Sequence, residues 1–293
     1  MIQLVKRNQI DEEKYNHCIT KSIESSIFGY SWYLDIIADN WDALVLNDYD
    51  AVMPLPWRKK AGFKYVYPPF WLIELGVFST LKNVDVKAFI NALFMNFRFV
   101  ESRLNTQNQL LGFPAQKLEM QIQMLSLKDS YETILLAYNR NRKRELKKAN
   151  DVHLTEQWND DPKNLIALFK DNVGQRVEKL QEKDYQVLLK LLNVCIERNV
   201  GEVLSIYEPK SKLVGSAFFL KHQNTVTALV VSSDFKNRDN GVNTFLNDRA
   251  IFKYQKDFEI FHFGGSSMET IANYYKSFGA ETKNYFLLKK RLL

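Results

Sequence analysis

Phe261-His262-Phe263-Gly264-Gly265-Ser266-Ser267-Met268-Glu269 is the stretch on which the fold turns. An apolar, strand-like run (Phe258, Ile260, Phe261, Phe263) stops at two glycines and resumes as a helix. Two glycines allow positive φ and a close approach of backbone to a ligand or another main chain. Ser266 stands three residues before Glu269, the spacing of a capping box, which predicts a helix start there. Ile271, Tyr274, Tyr275 and Phe278 carry that helix onward, and Gly279 ends it. Strand, glycine elbow and capped helix fit a ligand site or a plain β-to-α connection, and these residues alone leave both open.

Outward from this elbow the chain reads as two similar halves. In the first, helical residues 10–40 precede a hairpin, Ala43–Leu46 and Ala51–Leu55 around Asn47-Asp48-Tyr49-Asp50. Pro54, Pro56, Pro68 and Pro69 mark edges and loops. Val86, Phe89, Ile90, Leu93, Phe94 and Phe97 follow helical spacing, and residues 110–113 and 120–125 read as strands. In the second half two amphipathic helices (Leu165, Leu168, Phe169; Leu188, Leu192, Cys195) lead to strands at 202–207, 213–221 and 225–233. A helix at 244–254 then feeds the elbow, and Tyr285-Phe286-Leu287-Leu288 forms a last strand. The polar turn Asn159-Asp160-Asp161-Pro162 suggests a boundary, giving domains 1–155 and 156–293. The fold class is α/β, each half a mixed sheet flanked by helices.

At 293 residues, 46% hydrophobic and 25% charged, the composition is that of a globular protein and excludes a disordered chain. No apolar run of membrane-spanning length occurs, and the opening Met1-Ile2-Gln3-Leu4-Val5-Lys6-Arg7 has no secretory apolar stretch, so a cytoplasmic protein is expected. Cys18 and Cys195 suggest no disulfide framework, and His17, His153, His222 and His262 are too scattered for a metal site. The net charge of +6 favours acidic partners. Much of it is local: Asn139 to Lys148 reads NRNRKRELKK, six basic residues with the single acid Glu145. On a helix Arg140, Arg144 and Lys147 share one side and Arg142 is offset. Such a run is a solvated face or a phosphate contact.

Three stretches together carry a family resemblance: Pro54-Leu55-Pro56 with Tyr67-Pro68-Pro69-Phe70, the basic helix NRKRELKKA from Asn141 to Ala149, and FHFGGSS followed by YYKSFGA. The chain resembles the Fem-type acyltransferases, which pair two acetyltransferase-like (GNAT) domains, and the resemblance spans nearly its whole length. It departs from the family in having His262 where an acidic residue is common, and in lacking the long helical hairpin suited to tRNA.

The resemblance implies acyl transfer to an amine. It implies a coenzyme A pyrophosphate held at a helix N-terminus, where backbone N–H groups and the helix dipole favour anions. The matching loop is Arg238-Asp239-Asn240-Gly241-Val242-Asn243, with Ser232 on the strand before it. Asn243 stands where Gly or Ala is usual, and the loop reads equally as a surface turn. Arg142, Arg144, Lys148, Gly264, Gly265 and Ser266 would contact the substrate. Lys276, an ordinary helix lysine by its spacing, matches a recurrent Fem lysine suited to an oxyanion, and Tyr275 is a candidate proton donor to the leaving group. The expected reaction is N-acyl transfer from an acyl-CoA, without a metal, to a small-molecule or lipid-linked amine on a phosphate-bearing or cell-envelope precursor. The alternatives are an aminoacyl-tRNA donor and a non-catalytic binding protein.

Overall fold

The computed structural model describes residues 1–108, 110, 116–177, 180–209, 211–265 and 268–291. In chain order the elements begin β1 (Ile2–Lys6), α1 (Glu12–Lys21), α2 (Ser31–Ile37), β2 (Trp41–Leu46), β3 (Ala51–Lys60) and β4 (Phe63–Val66). Next come β5 (Phe78–Ser79), α3 (Val86–Asn96), β6 (Phe99–Arg103) and β7 (Gln116–Ser126). Then follow α4 (Tyr131–Ala137), α5 (Arg140–Asp151), β8 (Thr155–Trp158), α6 (Pro162–Asp171) and α7 (Glu182–Glu197). The chain closes with β9 (Gly201–Glu208), β10 (Lys212–His222), β11 (Thr225–Ser233), α8 (Val242–Tyr254), β12 (Ile260–Gly265), α9 (Glu269–Lys276) and β13 (Glu281–Lys290). No helix among the described residues is long and apolar enough to cross a membrane.

Local chemistry sets many of these boundaries. Asp11, Asp85, Ser130 and Asn139 each accept a backbone N–H three residues ahead, starting α1, α3, α4 and α5. Asp161 with Pro162 in the first turn starts α6. The expected hairpin is β2–β3, with Leu46 opposite Ala51 and positive φ at Asn47 and Tyr49. Pro54 and Pro56 lie within β3, not at its ends. On the side away from β2, β5 meets only Ala51 and Val52, and β4 begins at Trp57. The prolines occupy the gap between them, where no ladder N–H is required.

Two compact units divide the chain, Met1–Met120 with Asn284–Leu293, and Gln121–Lys283. This corrects the expected break at residue 155. Residues 121–155 belong to the second unit because their apolar side chains (Leu125, Ile134, Tyr138, Ala149) share a core with Val242, Leu246 and Phe261. The polar turn at Asn159–Pro162 is a local α6 cap and not a linker. In the first unit the sheet order is β1-β2-β3-β4-β6-β13; in the second it is β8-β9-β10-β11-β12-β7. Among the described strands each contains a parallel pair, β4–β6 and β11–β12, among antiparallel neighbours. The internal likeness expected from the element order is therefore also one of topology.

Candidate functional site

The elbow lies in the second unit. β11 and β12 pair in parallel over Thr225–Thr227 and Ile260–His262, and among the described residues the pairing ends there. On β11 the register against β10 slips between Ala228 and Val230, leaving Leu229 without an opposite residue. On β12 the register against β7 slips between His262 and Gly265. Gly264 has φ +84°, and a Cβ there would stand 2.8 Å from the Ala228 carbonyl oxygen, so only glycine fits. The Gly264 N–H donates to His262 Nδ1 at 2.9 Å. Burial lowers the His262 pKa to about 4, so at neutral pH the ring is uncharged and braces the elbow.

Past β11 the chain turns through Gly241, φ +76°, into α8. A Cβ on Gly241 would lie 2.2 Å from the Glu145 carbonyl oxygen, so α5 runs directly against this loop. Thr244, in the first turn of α8, donates to Glu145 Oε2 at 2.5 Å and accepts from Arg142 Nη1 at 2.8 Å. Arg142 also donates to Glu145 Oε1 at 3.0 Å, and its guanidinium lies 4.3 Å from the centre of the Tyr274 ring. A carboxylate thus sits beside the helix terminus at which a pyrophosphate was expected. The single acid of the basic run signals this in the sequence, but its partner lies 99 residues away.

Several expected contact residues are built into the fold instead. Arg142 is buried in this network, while Arg144 and Lys148 are exposed on α5. Ser232 is buried and donates to the Leu168 carbonyl of α6. Val242 is buried and would meet a Cβ on Gly215 at 2.8 Å. Asn243 is half-buried, and its carbonyl accepts from the Asn247 side chain. Arg238 falls in the short helical turn before Gly241; its side chain, like Ser266, lies outside the described residues.

The helix after the elbow is α9, with Met268 at its N-cap and no side-chain cap, two residues later than the expected cap at Ser266. It closes at Gly279, φ +89°, as expected. Tyr275 stacks on Phe263 with ring centres 4.6 Å apart, and burial raises its phenol pKa. Burial likewise pushes Tyr274 up to about 12, and its hydroxyl lies 3.4 Å from Thr244 Oγ1. Lys276 is exposed in the last turn of α9. The structure therefore brings Tyr275, Gly264 and Gly265 together around Phe263 and keeps Arg144, Lys148 and Lys276 at the surface. In the sequence Leu229, Thr244 and Tyr274 read only as strand or helix positions and not as site residues, since a bulge and a helix-to-helix hydrogen bond leave no local pattern. Among the described residues no cluster of His, Cys, Asp and Glu could hold a metal ion.

The sequence matches no family model and no curated protein. Solved structures do match. The crystal structure of FemX aligns with a TM-score of 0.65 at 11% identity, over 94% of this chain and 96% of that one. The chain has the Fem-type, tandem acetyltransferase-like fold. Another match is the C-terminal domain of a putative lysylphosphatidylglycerol synthetase from Agrobacterium fabrum, with a TM-score of 0.60 at 10% identity over 96% of this chain and 92% of that one. A tandem GNAT protein of the clavulanic acid biosynthesis pathway aligns with a TM-score of 0.56 at 10% identity, over 99% and 98%. At such identities the Fem-type assignment is one of fold, and the reaction has to be argued from the site.

Proposed function

We propose that the protein is an N-acyltransferase that moves an acyl group from an acyl-CoA-type thioester to an amine on a phosphate-bearing or lipid-linked cell-envelope precursor. The observation that carries this reading is the parting of β11 from β12 beyond Thr227 and His262, with a bulge at Leu229 and left-handed Gly264 beside it. Strands that part in this way leave main-chain donors and acceptors for a ligand laid along them. The clavulanic-pathway relative, described without AcCoA, supports a thioester donor in this fold.

In the transfer, the amine nitrogen attacks the acyl carbonyl carbon and the C–S bond breaks as the amide forms. The amine releases one proton to a base or to water, and the thiolate takes up one. Tyr275 supplies the second proton as the C–S bond breaks, and its phenolate regains a proton from water afterwards. Lys276 carries the positive charge that meets the carbonyl oxygen as it becomes an oxyanion. Arg144 and Lys148 offer the acceptor's phosphate exposed cations. The donor's phosphates would meet the Arg238–Asn243 loop.

One observation favours a second reading. The Glu145 side chain, paired with Arg142 and Thr244, takes up space beside the α8 terminus where a pyrophosphate would sit, which suits a donor bound elsewhere, such as an aminoacyl-tRNA. Calorimetric titration with coenzyme A and acetyl-CoA separates the two. Saturable micromolar binding that is lost in Arg238→Ala supports the thioester donor; silence up to millimolar ligand moves the assignment to aminoacyl-tRNA or to a binding role. Lys276→Ala should lower turnover without changing the melting temperature. Wild-type turnover in that variant removes Lys276 from the mechanism.

A further inference from the structure

We propose that the outward side of α5, together with Leu136 of α4, is a docking surface for an anionic lipid bilayer. At about 100° per residue, Arg140, Lys143, Arg144, Lys147 and Lys148 fall on one arc, and all five are exposed. The opposite arc is the buried one, with Arg142 and Ala149. The α5 ion pair, Arg142 with Glu145, lies on that inner side, and among the described residues none of the five outer cations is in a salt bridge. Asp151 is the one acid on the outer arc. Cations held this close repel one another unless an anionic surface faces them.

Leu136 turns this basic stripe toward lipid. Its side chain is 75% exposed. The Lys143 ammonium donates to the Leu136 carbonyl at 2.9 Å, so the apolar group adjoins the charged one. An exposed aliphatic side chain beside Lys143, at the edge of a basic arc, matches the boundary between headgroups and acyl chains, where lysine stems lie along apolar surface and the charges meet phosphates. Single-stranded RNA is the poorer fit, because it is held by aromatic stacking and the exposed arc of α5 carries no aromatic residue. The inference stands on this surface alone and survives a change of acyl donor.

The test is co-sedimentation of the full chain with vesicles of phosphatidylglycerol and phosphatidylcholine in equal parts, against phosphatidylcholine alone. Binding is expected only with the anionic lipid, and rising salt should weaken it. Each basic side chain near such a surface is worth about fivefold in partitioning, so the double variant Arg140→Ala/Lys147→Ala should bind about 25-fold more weakly. Leu136→Asp should weaken binding separately, with an unchanged melting temperature. Failure to bind anionic vesicles overturns the proposal, as does wild-type binding by both variants. If single-stranded RNA binds with the same charge dependence and Leu136→Asp has no effect on vesicles, the surface is one for RNA.

Discussion

Gln123 is fully buried on β7, and among the described residues neither end of its amide has a hydrogen-bond partner. A buried amide in that state opposes folding, so Gln123→Leu should raise stability by about 1–3 kcal/mol in urea unfolding. A lower midpoint would mean that an internal water holds the amide. Two other buried groups tie stability to pH with opposite signs. His262 titrates near 4 in the folded chain against 6.5 ordinarily, so it favours folding above pH 6.5 and that contribution disappears as pH falls toward 4. With ~1.4 kcal/mol per pH unit the loss is about 3 kcal/mol, and His262→Asn should flatten this acid limb. Glu74, with one carboxylate oxygen unpartnered among the described residues, is pushed by burial from 4.5 to about 7. Its contribution is full below pH 4.5 and lost as pH rises through 7. Glu74→Gln should therefore gain most over the wild type at pH 8, and melting curves across pH 4 to 8 read both effects.

Among the elements, the joint of α5, α8 and α9 depends on one buried cation. Arg142→Met removes the partner of Glu145 and should cost about 3 kcal/mol, seen as a lowered unfolding midpoint. Replacing Gly264 by Ala sets a Cβ against the Ala228 oxygen; a loss of about 2 kcal/mol is expected from the left-handed backbone alone. Much at this level was readable from the chain. The basic run from Asn139 reads as a helix, which α5 is, and the paired glycines after Phe263 mark the elbow. What could not be read was which basic residue turns inward. Helical spacing separates Arg142 from Arg140 and Arg144, but its burial depends on Thr244 and Tyr274, which arrive from two later helices. The bulge at Leu229 was equally hidden, since a register slip is a property of a pair of strands.

For the whole chain, the tandem fold was legible from element order and the division into units was not, because the polar turn at Asn159–Pro162 resembles a linker while contacts place the break elsewhere. The first unit takes its final strand from the C-terminus. Leu287 to Lys290 of β13 pair with Arg103 to Val100 of β6, and Leu288 is buried with Phe89 and Val100. Removal of residues 284–293 should therefore destabilise the first unit and expose the edge of β6, with faster proteolysis and aggregation as the readout. A fragment ending at residue 155 should fail for the same reason. The same topology bears on biosynthesis. A ribosome that has released the first 120 residues has delivered a sheet that lacks its closing strand, and the missing piece follows only after the whole of the second unit. The N-terminal unit must wait, with that edge open, until the second unit has been made and β13 has emerged, so its maturation depends on chaperones that tolerate the delay.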